Sequence, residues 1–248
     1  MSAMFKLGIQ SYCFRKFLPI AELVDALGQA GLSYVEIWPN HLHWTLEKPE
    51  KEKALSVLRA KGITVNAYGA ADFGNDEAYA RCVFEFAESL GIEALTTTWV
   101  APEAFPMLER LSEEYDVRLA IHNHGRNHHY GNFDQIQKVL SQTTSRFGLC
   151  LDAAWFLDAG CDPVEAVGLF KDRLYGVHLK DFVFDEQGKP QDVIIGTGGL
   201  DLPEFMKRLR DVGFQGYLSI EYEGDADNPL PKVKECVRVV EQVIESLE

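Results

Sequence analysis

The feature that most constrains this 248-residue chain is a repeated unit: an apolar strand, a short polar loop, an amphipathic helix, then the same again. Candidate strands lie at Lys6–Phe14, Tyr34–Trp38, Thr64–Gly69, Ala94–Trp99, Arg118–Asn123, Phe147–Asp152, Leu174–Lys180 and Gly216–Glu221. Most are continuously apolar, the pattern of strands covered on both faces. Their starts fall 24 to 30 residues apart, with one gap of 42 before the last. The intervening helices each show one apolar stripe, as in Tyr79, Val83, Phe86, Ala87 and Leu90. AGLSYV, KGITV, LGIEAL and VGFQGYL each place a Gly where a helix ends in a left-handed residue, then an apolar residue that folds back on the last turn. Asp162-Pro163, Asp201-Leu202-Pro203 and Asn228-Pro229 read as helix starts. Eight such units with right-handed crossovers close into a (β/α)8 TIM barrel of the α/β class, one domain over residues 1–248. An open doubly wound sheet would want a glycine-rich turn after the first strand, and IQSYCFRKF has none.

Charge and cysteine usage narrow the setting. Against 24 basic residues stand 38 acidic ones, a formal charge of −14. Nucleic acid and anionic membranes both demand clustered Lys and Arg, so neither is an expected partner. No apolar run approaches the roughly 20 residues that span a bilayer. The start, MSAMFKLGIQ, runs straight into a strand pattern rather than a signal-peptide stretch. Five scattered cysteines (Cys13, Cys82, Cys150, Cys161, Cys236) without a CxxC read as buried free thiols, and the expected location is the cytoplasm.

In a barrel of this class, side chains at the carboxyl ends of the strands converge on one mouth. Strand two ends at Glu36 and Trp38, followed by His41 and His43. Strand five ends His122-Asn123-His124, followed by His128 and His129; strand six ends at Asp152, strand seven at His178-Leu179-Lys180-Asp181, and strand eight at Glu221. Singly, each has an ordinary explanation. A lone strand-end His is usually a satisfied polar residue, Asp152 can cap the next segment, and Glu221 can pair with a lysine. Jointly, His122, Asp152, His178 and Glu221 stand at comparable heights on four adjacent strands, where unpartnered polar groups are costly. A shared dication neutralises them. Two imidazoles and two carboxylates favour Mn²⁺, Co²⁺, Zn²⁺ or Fe²⁺ over Mg²⁺ or Ca²⁺, which prefer oxygen shells. No HExxH or paired-cysteine spacing offers a different zinc site.

SYVEIW around Glu36, LAIHNHG around His122, FGLCLDAAW around Asp152, YGVHLKD around His178, GTGGLDLPEFMKRL and GYLSIEYEG around Glu221 resemble the xylose-isomerase-like TIM-barrel superfamily over the whole chain. That superfamily includes sugar isomerases and epimerases, inosose dehydratase and dehydroshikimate dehydratase. The resemblance to its ketose epimerases implies a metal held by Glu, Asp, His and Glu from strands five to eight, the two Glu also moving protons on opposite faces of the substrate. Asp152, His178 and Glu221 match that pattern, and His122 stands in place of the first Glu. A His still binds metal, but a two-carboxylate relay does not survive, because a metal-bound neutral imidazole has little basicity left. Trp155, three residues after the Asp, stands where the epimerases often have His. The family's DNA-repair branch needs more ligands and a basic face, against the −14 charge.

The implied chemistry is proton abstraction α to a carbonyl of a sugar or polyol, through an enediolate that the metal stabilises. Glu221 is the expected ligand and proton acceptor, with His124 or Lys180 as second acid/base, its pKa moved toward neutrality. Return of the proton makes an isomerase or epimerase, the first expectation. Loss of a β-hydroxyl makes a dehydratase or lyase, which the broken Glu pair brings forward. A non-catalytic sugar-binding barrel is the reading from another class; it would keep the aromatics without needing four ligands. Trp38, Trp99, Trp155, Tyr12 and Tyr68 offer faces to sugar C–H groups, though core packing accounts for each equally well. Glu36, Asn123 and Arg126 offer hydrogen bonds to hydroxyls. Gly196-Thr197-Gly198-Gly199 reads as a phosphate cradle or, more simply, a tight turn. With only Arg126, Lys180 and Lys189 as cations near the mouth, the expected substrate is unphosphorylated. A homo-oligomer packed through the barrel helices is compatible with the pattern.

Overall fold

The computed structural model describes residues 5–247; residues 1–4, on which part of the reading of the chain's start falls, and residue 248 lie outside the described residues. Seven parallel strands come first: β1 (Lys6–Gln10), β2 (Tyr34–Ile37), β3 (Thr64–Gly69), β4 (Ala94–Thr97), β5 (Arg118–His122), β6 (Phe147–Asp152) and β7 (Leu174–Leu179). A hairpin then pairs β8 (Phe182–Phe184) antiparallel with β9 (Pro190–Asp192), filling the long gap before β10 (Tyr217–Ile220). β10 pairs with both β7 and β1 and closes the barrel, in the order β1-β10-β7-β6-β5-β4-β3-β2. Outside it run α1 (Ile20–Ala30), α2 (Lys48–Ala60), α3 (Glu77–Leu90), α4 (Phe105–Glu114), α5 (Phe133–Ser141), α6 (Ala153–Asp158), α7 (Pro163–Phe170), α8 (Leu202–Asp211) and α9 (Leu230–Ser246). This is a single-domain (β/α)8 barrel.

Local chemistry sets the boundaries. Gly31, Gly62, Gly91 and Gly213 all take positive φ, between 69° and 78°. After three of them Leu32, Ile63 and Phe214 donate back to the carbonyls of Leu27, Leu58 and Leu209. Asp162 and Asp201 cap α7 and α8 through their side chains, whereas α9 starts after Pro229 without a side-chain cap. Two strands end earlier than the apolar pattern predicts. Gln10 accepts from the Tyr12 N–H, and Ser11–Phe14 wind into a 3₁₀ turn. Asp72 accepts from the N–H groups of Thr98 and Trp99, turning the chain out of β4. In both places a side chain competes with the sheet for backbone donors.

β6 and β7 are buried along their whole length, as their apolar runs require. Small residues (Ala67, Ala94, Ala120, Cys150) pack with Tyr175 and Tyr217 in one cluster, and the Tyr217 hydroxyl reaches Thr96 on β4, across the barrel interior. A Cβ at Gly176 would lie 2.0 Å from the Tyr217 ring, so that strand position must stay bare. All five cysteines are free; Cys13, Cys150 and Cys236 are buried as expected, but Cys161 is half-buried and Cys82 exposed. No helix among the described residues is long and apolar enough to cross a membrane.

Candidate metal centre

β5, β6, β7 and β10 are consecutive neighbours in the closed sheet, and Asp152 and His178 are register partners. His122, Asp152, His178 and Glu221 therefore meet, one donor atom of each lying within 4.8 Å of all the others. His122 Nε2 is 2.8 Å from His178 Nδ1. It is 3.6 Å from Asp152 Oδ2 and 3.8 Å from Glu221 Oε2. His178 Nδ1 is 2.9 Å from the same Glu221 oxygen. Donors bound tetrahedrally at about 2.0–2.2 Å stand about 3.4 Å apart, and the four atoms bracket that spacing.

The cluster is short of positive charge. Asp152 Oδ1 accepts from the Trp155 N–H at 2.9 Å, but the buried Oδ2 has no hydrogen-bond partner. Burial works to lower His122, yet Asp152 and Glu221 raise its pKa. Burial does the same at His178, where Cys150, Glu36 and Glu221 raise it well above the ordinary imidazole value. At Glu221 burial works upward, but Lys180, His178 and His122 hold it well below the usual carboxylate range. The two raised imidazoles and the unpartnered Asp152 oxygen report one demand, positive charge among these four groups. A divalent ion meets it, and a mixed nitrogen and oxygen set suits a transition metal.

Several side chains expected at the substrate serve the scaffold instead. Glu36 is fully buried, and its carboxyl lies 2.7 Å from His178 Nε2 and accepts from Thr96 Oγ1 (2.5 Å) and Ser219 Oγ (3.1 Å). Asn123 clasps the Asp152 peptide: Nδ2 donates to its carbonyl at 3.0 Å, and Oδ1 accepts from its N–H at 2.7 Å. Tyr68 packs in the core and donates to the Leu42 carbonyl at 3.0 Å. Arg126 pairs with Asp158 through Nε and a terminal nitrogen, and donates to the Gly188 carbonyl. Trp99 is 39% exposed and outside the cavity wall, carried off by the early end of β4. In the four polar cases a partner within the protein already satisfies the group. His41 is likewise structural, between Ser11 Oγ and the Phe14 carbonyl.

A cavity of about 270 Å³ opens on the cluster, with Tyr12, Trp38 and Trp155 in its wall beside His124 and Glu223. Neither expected second acid/base is poised near neutrality. Burial pushes His124 down to about 2, leaving a neutral imidazole. Lys180 is 1% exposed, its ammonium paired with Glu223 and 4.0 Å from Asp192. Burial works to lower Lys180, but Glu221 and Glu223 hold it above its ordinary value. Glu223 is not among the residues to which the sequence reading assigns a role. Its signal is the two-residue step from Glu221, the period of one strand face. The glycine run is no phosphate cradle, because the N–H groups of Gly196, Gly198, Leu200 and Phe182 converge on the Asp181 carboxylate at 2.8–3.0 Å. The chain's own anion fills that nest, which gives the Asp of HLKD its purpose. A larger hollow of about 500 Å³ lies at the amino-terminal end of the strands, among Lys6, Asn66, Arg118 and Tyr217, and none of the four cluster residues lines it.

Comparison with known proteins agrees with this architecture. A family profile described as xylose isomerase-like TIM barrel matches residues 24–243. The rhizopine catabolism protein MocC of Rhizobium meliloti is 27% identical over 143 residues, 50% of this chain and 42% of that protein. An inosose dehydratase of Clostridium perfringens is 26% identical over 236 residues, 84% of this chain and 76% of that enzyme. The match with MocC thus spans less than half of that protein's length. Among solved structures, the IOLI protein with a binding zinc atom superposes with a TM-score of 0.79 at 17% identity, covering 98% of this chain and 99% of that one. The 3-keto-D-glucoside 4-epimerase YcjR of E. coli superposes with a TM-score of 0.75 at 16% identity, covering 96% and 99%. At such identities the two structures speak for the fold. The profile, which runs from α1 into α9, speaks for descent: this chain belongs to the xylose isomerase-like TIM-barrel family.

Proposed function

We propose that the chain is a divalent-metal-dependent enzyme that removes the proton next to the carbonyl of a small, unphosphorylated keto-sugar or keto-cyclitol, with loss of the β-hydroxyl as water the favoured outcome. The observation that carries this reading is the convergence of His122, Asp152, His178 and Glu221 around a place that wants a cation, with the Asp152 Oδ2 left unpartnered. Those four would hold the ion, and Mn²⁺, Co²⁺, Zn²⁺ or Fe²⁺ suits them better than Mg²⁺. When bound, a divalent ion polarises a carbonyl oxygen and so acidifies the adjacent C–H. Glu221, ionised and in the cavity wall, accepts that proton. Tyr12, Trp38 and Trp155 take the C–H faces of the ring, and neutral His124 hydrogen-bonds a hydroxyl. Lys180 keeps its proton and pairs with Glu223, which lines the cavity, so the proton that leaves with the β-hydroxyl is the one Glu221 has taken from the α carbon. The cavity lining contains no Lys or Arg among the described residues, so a phosphate group would find no counter-charge there.

Elimination moves ahead of the isomerisation or epimerisation favoured at first, on two grounds. His122 stands where the resemblance to the ketose epimerases implies the first Glu of a proton-moving pair, and relatives in sequence include inosose dehydratases from Clostridium perfringens and Klebsiella pneumoniae. Incubation of the metal-supplemented protein with keto-inositols and ketohexoses in D₂O tests the proposal. A product lighter by one water supports it. Deuterium at the α carbon with no loss of water indicates epimerisation or isomerisation. No deuterium and no product with any divalent ion leaves a binding barrel and overturns the enzymatic reading.

A further inference from the structure

Glu36 belongs to β2 and His178 to β7, strands that are not neighbours, so their contact crosses the barrel interior. A fully buried carboxyl is an expensive occupant there unless it is fully hydrogen-bonded, and an apolar side chain would fill the same room at lower cost. The hydrogen bonds around it have one consistent direction. Thr96 gives its single hydroxyl proton to Glu36 Oε1, which leaves Thr96 Oγ1 free to accept from the Tyr217 hydroxyl at 2.7 Å. Ser219 Oγ donates to Glu36 Oε2. Every hydrogen in this network then points at the carboxylate, which has none to give back. His178 must therefore meet Glu36 as a donor.

We propose that Glu36, anchored by Thr96, Ser219 and Tyr217, is a positioning residue that draws the ring proton of His178 to Nε2 and leaves Nδ1 as a bare lone pair facing His122 and Glu221. A neutral imidazole has one proton and one lone pair, and the partner of one nitrogen decides which is which. Glu221 Oε2 faces Nδ1 at 2.9 Å and competes for the same proton, and an N–H there would fill the space among the four donors, so it takes Glu36 on the other side to hold the proton on Nε2. The consequence for ion binding rests on the metal-dependent reading above; the tautomer assignment stands apart from it.

The test uses the full chain with Glu36→Leu, which removes the acceptor, and Glu36→Gln, which keeps one acceptor oxygen. Long-range ¹H–¹⁵N spectra of histidine-labelled protein read which His178 nitrogen carries the proton, both with Zn²⁺ and without metal at the alkaline pH where the ring is neutral. Competition against a chromophoric chelator reads Zn²⁺ affinity. The expected result is Nε2–H in the wild type, loss of that preference in Glu36→Leu, and Zn²⁺ affinity about 10–100-fold weaker, with Glu36→Gln in between. A wild-type ring protonated at Nδ1 overturns the proposal, as does unchanged affinity in Glu36→Leu, or weaker affinity with the tautomer unmoved. Should Glu36→Leu fail to fold, Glu36→Gln decides, and wild-type affinity there overturns the role. A wild type that holds Nε2–H but binds no divalent ion keeps the positioning role and brings down the metal-dependent reading instead.

Discussion

Asp152 keeps its place through a neighbour. Both polar groups of its peptide are bonded by the Asn123 amide, in a part of β5 and β6 that is wholly buried. Asn123→Ala removes two buried hydrogen bonds to Asp152, so urea unfolding should show a loss of about 1–3 kcal/mol. Unchanged stability would mean that water reaches the site. At the cluster itself, Glu221→Gln should lower kcat at least about a hundredfold, the scale of a lost general base, and near-normal turnover would move the base elsewhere. The four cluster residues are legible in the sequence because strand ends in a barrel face one mouth. The role of Glu36 is not, since a carboxyl on β2 looks the same whether a hydroxyl of the substrate or an imidazole across the barrel faces it. Trp99 and Arg126 mislead for a related reason: what holds them, Asp72 turning the chain or Asp158 pairing, lies some thirty residues away in sequence.

Helix ends are the most readable elements, and their glycines are of two physical kinds. Gly91 has φ of +70° and open space around it, so Gly91→Ala carries only the strain of a left-handed residue, about 1 kcal/mol of lost stability. Gly28 lies on an exposed face within α1, also with open space, and Gly28→Ala should gain about 0.5–1 kcal/mol. Thermal unfolding of the two variants should therefore shift in opposite directions, and a shared sign would contradict this account. The ends of β1 and β4 are less readable because Gln10 and Asp72 outbid the sheet for a few N–H groups. The β8–β9 hairpin is hidden for another reason: each strand is three residues long, too short for a period to show, and only the wide spacing before the last strand hints at it.

Across the whole molecule, strict alternation leaves so few arrangements that the closed barrel follows from the pattern alone. An ion among donors from β5, β6, β7 and β10 would tie four strands together, so loading should stabilise the fold as well as the site. With free Zn²⁺ at a hundredfold its Kd the gain is about 2.7 kcal/mol, visible as a higher Tm that a chelator reverses. A Tm indifferent to both additions would count against the centre. The barrel interior also links its two ends. Because position 176 is glycine, the aromatic ring at 217 can lie flush over the backbone of the adjoining strand and send its hydroxyl toward Thr96. A single methyl group added at 176 would displace that ring, slacken the handhold on Glu36 and leave the imidazole beyond it free to turn. The least chemically equipped residue in the sheet thus governs how firmly the far rim can grip a cation, although it touches none of the atoms that do the gripping.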